Sequence, residues 1–261
     1  MNEIILSSPS RVLFTVGSFE IYVYSLLMAI SILFGVIVSN HMANKSNKLP
    51  QNFFIEISPI VILSGILGAR GWYCLLNYSE FSNNILNIFN LRSGGISIHG
   101  ALLGGLIALI FLAKTKNIKL STLCDYSVIG VSLGQAIGRI GNFFNNEAFG
   151  LPYDGVCKLF IPYAYRPEGY KEFSYFHPTF LYESVADFLL FLFLLYILQK
   201  NPKPTTTTLT YLLCYSIIRF FIELIRIDCN VHVLGLPFPA IVSVIIFFIA
   251  LILLVIRLKS R

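Results

Sequence analysis

The sequence predicts an all-α polytopic membrane protein with about seven transmembrane helices. Three observations carry this. Hydrophobic residues make up 56% of the 261 and charged residues only 12%, well below the roughly one-quarter charged of a soluble domain. Seven apolar runs are long enough to cross a bilayer, roughly 20–39, 53–78, 94–113, 120–143, 178–198, 207–227 and 236–256. Basic residues gather in alternate connections between these runs, the charge pattern of a chain threaded back and forth through a membrane.

In chain order, residues 1–19 have no basic region followed by an apolar core and a small-residue cleavage site, so the first run is expected to be an uncleaved span. Loop 40–52 holds Lys45 and Lys48, loop 114–119 holds Lys114, Lys116 and Lys119, loop 199–206 holds Lys200 and Lys203, and the tail holds Arg257, Lys259 and Arg261. These are ten of the nineteen basic residues, with no acid among them. The opposite connections hold Arg11, Arg92, Lys158, Arg166 and Lys171 mixed with most of the acids. The positive-inside rule then puts the N-terminus outside and the C-terminus in the cytoplasm. Loop 144–177 is long and rich in Tyr, Pro and Gly. It reads as a small, ordered extracytoplasmic arm or lid inserted between spans four and five, so that 1–261 form a single integral membrane domain.

Composition also excludes. The net charge of +6 is accounted for by the loops that face the cytoplasm and is no signal for nucleic acid. Cys74, Cys124, Cys157, Cys214 and Cys229 are far apart and lack metal-ligand spacing, so the cysteines offer no credible metal cluster. There is no internal repeat of the kind that builds a transporter from halves. No Gly-x-Ser-x-Gly, paired Asp or His-Glu-x-x-His element points to an intramembrane hydrolase.

The polar residues inside the runs converge. With the orientation above, Tyr24, Arg70, His99, Arg139, Arg219, Glu223 and Arg226 all fall in the outer half of the membrane, and His177, Tyr182 and Glu183 begin span five from outside. Arginine within a span costs about 2.5–3.5 kcal/mol on insertion scales, which makes each one a candidate for function. Tyr215, Arg219 and Glu223 are spaced by four and Arg226 follows by three, so all four share one helix face. An Arg219–Glu223 salt bridge is the structural reading of that face. Two further arginines in the same slab exceed what one acid neutralises, and the excess suits an anionic ligand such as a lipid phosphate. His99, in Gly94-Gly95-Ile96-Ser97-Ile98-His99-Gly100, either moves a proton or holds two helices together. The glycines at 94, 95, 100, 104 and 105 equally suit a helix-packing stripe. Asn142 and Asn145 either bind a headgroup or cap the span end. Asp187, Asp125 and Glu56 are expected to pair structurally.

These residues resemble a known family, the bacterial prolipoprotein diacylglyceryl transferases, over nearly the whole chain. Gly94–Gly100 looks like the family's histidine-glycine motif. Gly138-Arg139-Ile140-Gly141-Asn142-Phe143-Phe144-Asn145-Asn146-Glu147-Ala148-Phe149-Gly150 looks like its signature. His177-Pro178 with Leu181-Tyr182-Glu183, and Tyr215 through Arg226, resemble two further elements. The resemblance implies transfer of the sn-1,2-diacylglyceryl group from phosphatidylglycerol to the lipobox cysteine of a preprolipoprotein signal peptide. A thioether forms and glycerol-1-phosphate leaves, at the bacterial cytoplasmic (inner) membrane, without a metal or cofactor. It assigns phosphate binding to Arg139 and Arg219, the headgroup site to Asn142, Glu147 and Gly150, and orientation of the arginines to Glu223; from the residues themselves, Asn145 is a further headgroup candidate and Tyr182 and Glu183 are candidates to orient the arginines. It makes His99 the candidate base, with Tyr215 or Tyr24 assisting, and leaves Arg70 and Arg226 as further substrate contacts. Val23 and Ser25 beside Tyr24, Thr179-Phe180, Ile227-Asp228 and Pro237-Phe238-Pro239 depart from the family pattern. The alternatives are a polytopic lipid or anion transporter, and a divergent paralogue with another acceptor.

Overall fold

In a computed structural model the described residues are 3–259 except Ser18, 82–83, 91–93, 229–230 and Leu234. Arg92, Cys229 and Arg261 of the charge and cysteine readings lie outside them. Each of the seven apolar runs contains one long helix: α1 (Val23–Ser46), α2 (Phe53–Leu76), α4 (Ile98–Thr115), α5 (Leu120–Asn145), α6 (Thr179–Gln199), α7 (Thr206–Ile225) and α8 (Phe238–Lys259), with a one-turn α3 (Tyr78–Phe81) between α2 and α4. All but α5 are long and apolar enough to cross a membrane. The chain is a mostly helical, polytopic membrane protein. The α5 run is helical over 26 residues but carries Ser, Gln, Arg and Asn along its length, so hydropathy alone does not pick it out.

The all-helical expectation missed seven short strands: β1 (Ile4–Ser7), β2 (Val12–Val16), β3 (Phe19–Tyr22), β4 (Cys157–Phe160), β5 (Tyr175–Phe176), β6 (His232–Val233) and β7 (Leu236–Pro237). They are two to five residues long, too brief for a period-2 pattern to stand out, and β3 and β7 run directly into apolar helices. Part of the first run is strand β3, not helix.

Two compact units divide the chain, 1–38 with 127–261, and 39–126. In the first, β1 pairs parallel with β4, and β4 antiparallel with β5. The arm 144–177 therefore contains sheet, and Ala148, Phe149, Leu159, Ile161, Phe176 and Phe180 form its own apolar cluster. Lys158 is buried in this sheet between Glu3 at 3.0 Å and Asp154 at 2.5 Å, which raise its pKa, and its ammonium lies 4.4 Å from the Tyr175 ring centre. The helical core of the unit is Val128, Ile129 and Leu133 of α5, Leu190, Phe191 and Leu194 of α6, and Tyr211 of α7. Along α5, glycines admit α1: a Cβ on Gly35 would stand 2.8 Å from the Gly130 carbonyl oxygen, one on Gly134 3.4 Å from that of Ser31, and one on Gly141 2.7 Å from the Tyr24 ring. Small residues at three- and four-residue spacing let helices without a hydrophobic driving force approach closely. Here they seat the Tyr24 ring against the backbone of the signature segment.

In the second unit α2 and α4 pack backbone to backbone. A Cβ on Gly100 or Gly104 would collide with the backbone of Gly68 or Ser64, whereas one on Gly105 would meet only the Val61 side chain, at 3.9 Å. The packing stripe is therefore Gly68, Gly100 and Gly104. Gly94 and Gly95 belong to the preceding loop, at φ +81° and +77°, where glycine avoids the steric cost of the left-handed region. Gly100→Ala should destabilise the protein by about 1–3 kcal/mol through overpacking, while Gly105→Ala should be neutral or gain up to ~1 kcal/mol from helix propensity. Thermal unfolding of the two variants in detergent checks this; equal melting temperatures would mean that the α2–α4 contact is loose.

Candidate active site

The first unit brings Arg139, Arg219, Glu223 and Arg226 into one network, and Glu183 is at its centre. Glu183 is 1% exposed. Its Oε1 forms an ion pair with Arg139 Nη2 at 2.8 Å and accepts from Arg219 Nη1 at 2.9 Å, and its Oε2 accepts from the same Nη1 at 3.1 Å. Arg219 Nη2 donates to Glu223, the partner expected from the four-residue spacing. Glu223 Oε1 also faces Arg226 Nη1 at 3.4 Å, and Arg226 grips Asp228 through Nε at 2.8 Å and Nη2 at 2.6 Å. Charges alternate along this chain: Arg139, Glu183, Arg219, Glu223, Arg226, Asp228. The expected excess of positive charge is absent. Counting acids within one helix missed Glu183 on α6 and Asp228 beyond α7, so three arginines meet three paired carboxylates.

Arg139 is the least committed guanidinium. One nitrogen pairs with Glu183, its side chain remains 23% exposed, and no other hydrogen-bond acceptor is found for it among the described residues. Arg219 and Arg226 each hold two carboxylates. Around Arg139, the chain leaves α5 through Asn146 and Ala148, both at positive φ, 54° and 55°. That reversal turns Glu147 back, so its Oε1 accepts from the amides of Asn142 at 2.9 Å and Asn145 at 3.0 Å. Both asparagines are thus tied to one carboxylate instead of capping backbone.

Gly150 stitches the start of the arm to the ends of two helices. Its N–H donates to the His177 carbonyl, it bridges to Arg226, and a Cβ there would stand 2.8 Å from the Ile225 carbonyl oxygen. Tyr215 stacks on Tyr211, ring centres 5.5 Å apart, and Tyr211 donates its hydroxyl to Gln135 at 2.9 Å. Tyr182 is not an arginine partner. Its hydroxyl lies 3.3 Å from His177 Nδ1, and the imidazole stacks on Tyr153 at 3.9 Å. Burial lowers the His177 pKa below the usual imidazole value, so this ring is neutral at pH 7.

Of the acids expected to pair structurally, Glu56 does, with Lys116 at 2.8 Å. Asp187 is fully buried one turn along α6 from Glu183, and neither carboxyl oxygen has a hydrogen-bond partner among the described residues.

The second unit holds Arg70 and His99. Arg70 is buried, and its five N–H groups are all taken: Nε by the Ile88 carbonyl at 2.8 Å, Nη1 by Gly94 and Gly95 at 2.6 and 2.7 Å, Nη2 by Asn87 and Asn90 at 2.6 and 3.1 Å. In this conformation all the donors of Arg70 are held by the protein and none remains free for a phosphate. Its acceptors are backbone carbonyls, which leave no mark in a sequence. The loop it holds leads into α4, whose first turn presents His99 exposed and without a hydrogen-bond partner among the described residues. Among those residues no group of three or more His, Cys, Asp or Glu could hold a metal.

The sequence model of one family, prolipoprotein diacylglyceryl transferase, matches residues 11–256. The chain belongs to that family. Its relatives include the phosphatidylglycerol–prolipoprotein diacylglyceryl transferases of Prochlorococcus marinus strain MIT 9215, 41% identical over 85% of this chain and 81% of that protein, and of Parasynechococcus marenigrum strain WH8102, 40% identical over 85% and 82%. The match to the prolipoprotein diacylglyceryl transferase family includes the whole charge network and the Asn142–Glu147 turn.

Removing one member of a buried pair strands the other charge, at a cost of about 3–5 kcal/mol. Glu183→Gln should therefore lower stability by about that much, and adding Arg139→Gln should give less than the sum of the two single losses, by about 0.5–3 kcal/mol. A double-mutant cycle of denaturation in detergent measures it. Strict additivity would mean that Glu183 and Arg139 do not interact in the folded protein.

Proposed function

We propose that this chain transfers the sn-1,2-diacylglyceryl group of phosphatidylglycerol to the lipobox cysteine of a preprolipoprotein in the bacterial cytoplasmic membrane. The observation that carries the reading is the partly open Arg139 guanidinium, fixed by Glu183 beside the Asn142–Asn145–Glu147 turn. A planar fork with unused donors at the edge of a buried ion network matches a lipid phosphate.

In the proposed reaction the cysteine sulfur attacks the sn-3 carbon of the diacylglyceryl group. The carbon–sulfur bond forms as the carbon–oxygen bond to phosphate breaks, and glycerol-1-phosphate departs with the electron pair. Arg139, steadied by Glu183 and Arg219, stabilises the charge that grows on the leaving phosphate. Because the network is already balanced, it tolerates the single charge of the diester better than the double charge of the monoester product, which favours product release. Asn142, Asn145, Glu147 and Gly150 shape the headgroup side. The thiol, with an ordinary pKa near 8.5, gives up its proton to His99. Supporting that role are the resemblance and the unpartnered imidazole at the head of α4. Tyr24 and Tyr215 border the arginines.

The test supplies membranes with phosphatidylglycerol and a lipobox peptide and reads the peptide by mass spectrometry. A diacylglyceryl thioether is the expected product; release of free diacylglycerol, or lipid movement without an adduct, overturns the reading. Arg139→Lys keeps the charge and loses the fork, and should lower turnover on the order of 10²-fold or more while the protein still inserts. Near-normal turnover would assign Arg139 to generic charge. His99→Gln should leave lipid binding intact, lower thioether formation by on the order of 10²–10⁴, and remove the acidic limb of the pH–rate profile. An unchanged profile would pass the base role to a tyrosine or to the lipid phosphate.

The orientation read from the basic loops belongs to the same proposal, with the site facing outward. Reporter fusions after Lys45, Asn117 and Pro202 should report cytoplasm, and one after Tyr165 should report outside. A cytoplasmic signal at Tyr165 reverses it.

A further inference from the structure

Between α2 and α4 the chain makes a short 3-10 helix, Ile85–Phe89, that is built inside out for a water-facing loop. Its large apolar side chains point away from the protein: Ile85 and Leu86 are 70% exposed and Phe89 83%. Its backbone polar groups turn inward. The carbonyls of Asn87, Ile88 and Asn90, with those of Gly94 and Gly95, converge on the single guanidinium of Arg70. The N–H groups are also engaged: Leu86 with the Asn84 side chain, Asn87 with the Asn84 carbonyl and Asn90 with the Asn87 carbonyl.

Water would satisfy such carbonyls without help, and it would not favour three bare apolar side chains. A bilayer imposes the opposite rule. Non-helical backbone survives at membrane depth only where its polar groups are satisfied internally, and an arginine there pairs with backbone carbonyls. Arg70 has no carboxylate partner among the described residues. Its charge is enclosed by carbonyl dipoles and by the faces of Tyr73 and Phe81, whose ring centres lie 5.8 and 5.2 Å from Cζ. Arginine suits this role because it alone offers five donors in a rigid plane. The segment also connects two helices that are long and apolar enough to cross the membrane, so it is continuous with lipid-facing surface.

We propose that Ile85–Phe89 is a lipid-embedded foot, with Ile85, Leu86 and Phe89 among phospholipid acyl chains and Arg70 as its internal anchor. This rests on the membrane-spanning helices and not on the transferase reading. By holding Gly94 and Gly95, the same anchor also ties down the entry to α4.

The test uses the full chain in phosphatidylcholine–phosphatidylglycerol vesicles. Trp72 is the one tryptophan of the sequence, so Phe89→Trp in a Trp72→Phe background gives a single reporter. Its emission should be blue-shifted, resist aqueous acrylamide, and fall by more than about half when the acyl chains carry bromine, as for an indole in the apolar interface. Red-shifted emission quenched by acrylamide and indifferent to bromolipid overturns the proposal. Adding Arg70→Lys, which keeps the charge but has three donors for five carbonyls, should move the reporter toward acrylamide. An unmoved reporter removes Arg70 as the anchor. Since the first measurement is made with Arg70 intact, a misfolded Arg70→Lys protein leaves the lipid contact decided.

Discussion

A carboxylate enclosed at 1% exposure is tolerable only if its charge is met, and Glu183 is met from two sides by α5 and α7. Taking an acid out of water costs several kcal/mol even after relaxation, and only good geometry with every lone pair used recovers it. Glu183 uses both oxygens on Arg139 and Arg219. The three helices α5, α6 and α7 therefore have to meet at this depth and in this rotation. Neighbouring features follow from that requirement: the Val128–Leu133 and Leu190–Leu194 core beside it, the Tyr211–Gln135 bond one turn further along, and the Gly150 stitch that lets Arg226 approach Glu223.

The network extends outward as alternating charges and ends in the bidentate Arg226–Asp228 pair. Alternation keeps each guanidinium oriented while leaving the whole electrically balanced. Exposure is unequal along it: Glu183 and Glu223 are sealed, whereas Arg139 keeps an open edge. A ligand anion at that edge adds to an existing pair and displaces no carboxylate. Orientation of the guanidiniums is thus supplied in advance by protein charges, an arrangement that lowers the reorganisation any bound anion would require.

Much of the helical framework was legible, because a long apolar run is a strong signal and survives the loss of local detail. The face of Tyr215, Arg219, Glu223 and Arg226 was legible too, since four-residue spacing maps directly to geometry. What escaped depended on partners remote in sequence or without side-chain identity. Glu183 was read as an orienting group, but its place as the shared acid required knowing that α6 lies against both α5 and α7. Arg70 looked like a ligand contact because its five carbonyl acceptors carry no sequence signature. Asp187 was expected to find a partner, and its carboxyl oxygens accept no hydrogen bond among the described residues, a local conflict that no pattern along one chain reveals. The strands of the arm and of the N-terminal stretch were too short to stand out from the apolar segments they adjoin.

Helix α5 has a consequence for how the protein is made. It is 26 residues long yet is not among the helices apolar enough to cross on composition. Ser39 of α1 bonds the Tyr126 carbonyl, but the partners of its central polar groups lie on segments synthesised afterwards: Ser184 bonds the Ala136 carbonyl, Glu183 meets Arg139, and Tyr211 meets Gln135. An insertion channel that releases segments one at a time, by their own partitioning, has little reason to release α5 alone. Its stable entry into lipid waits for α6 and α7, so the order of translation becomes part of the folding code. The charge network of the finished protein is also the clasp by which a reluctant helix is carried into the membrane by its successors.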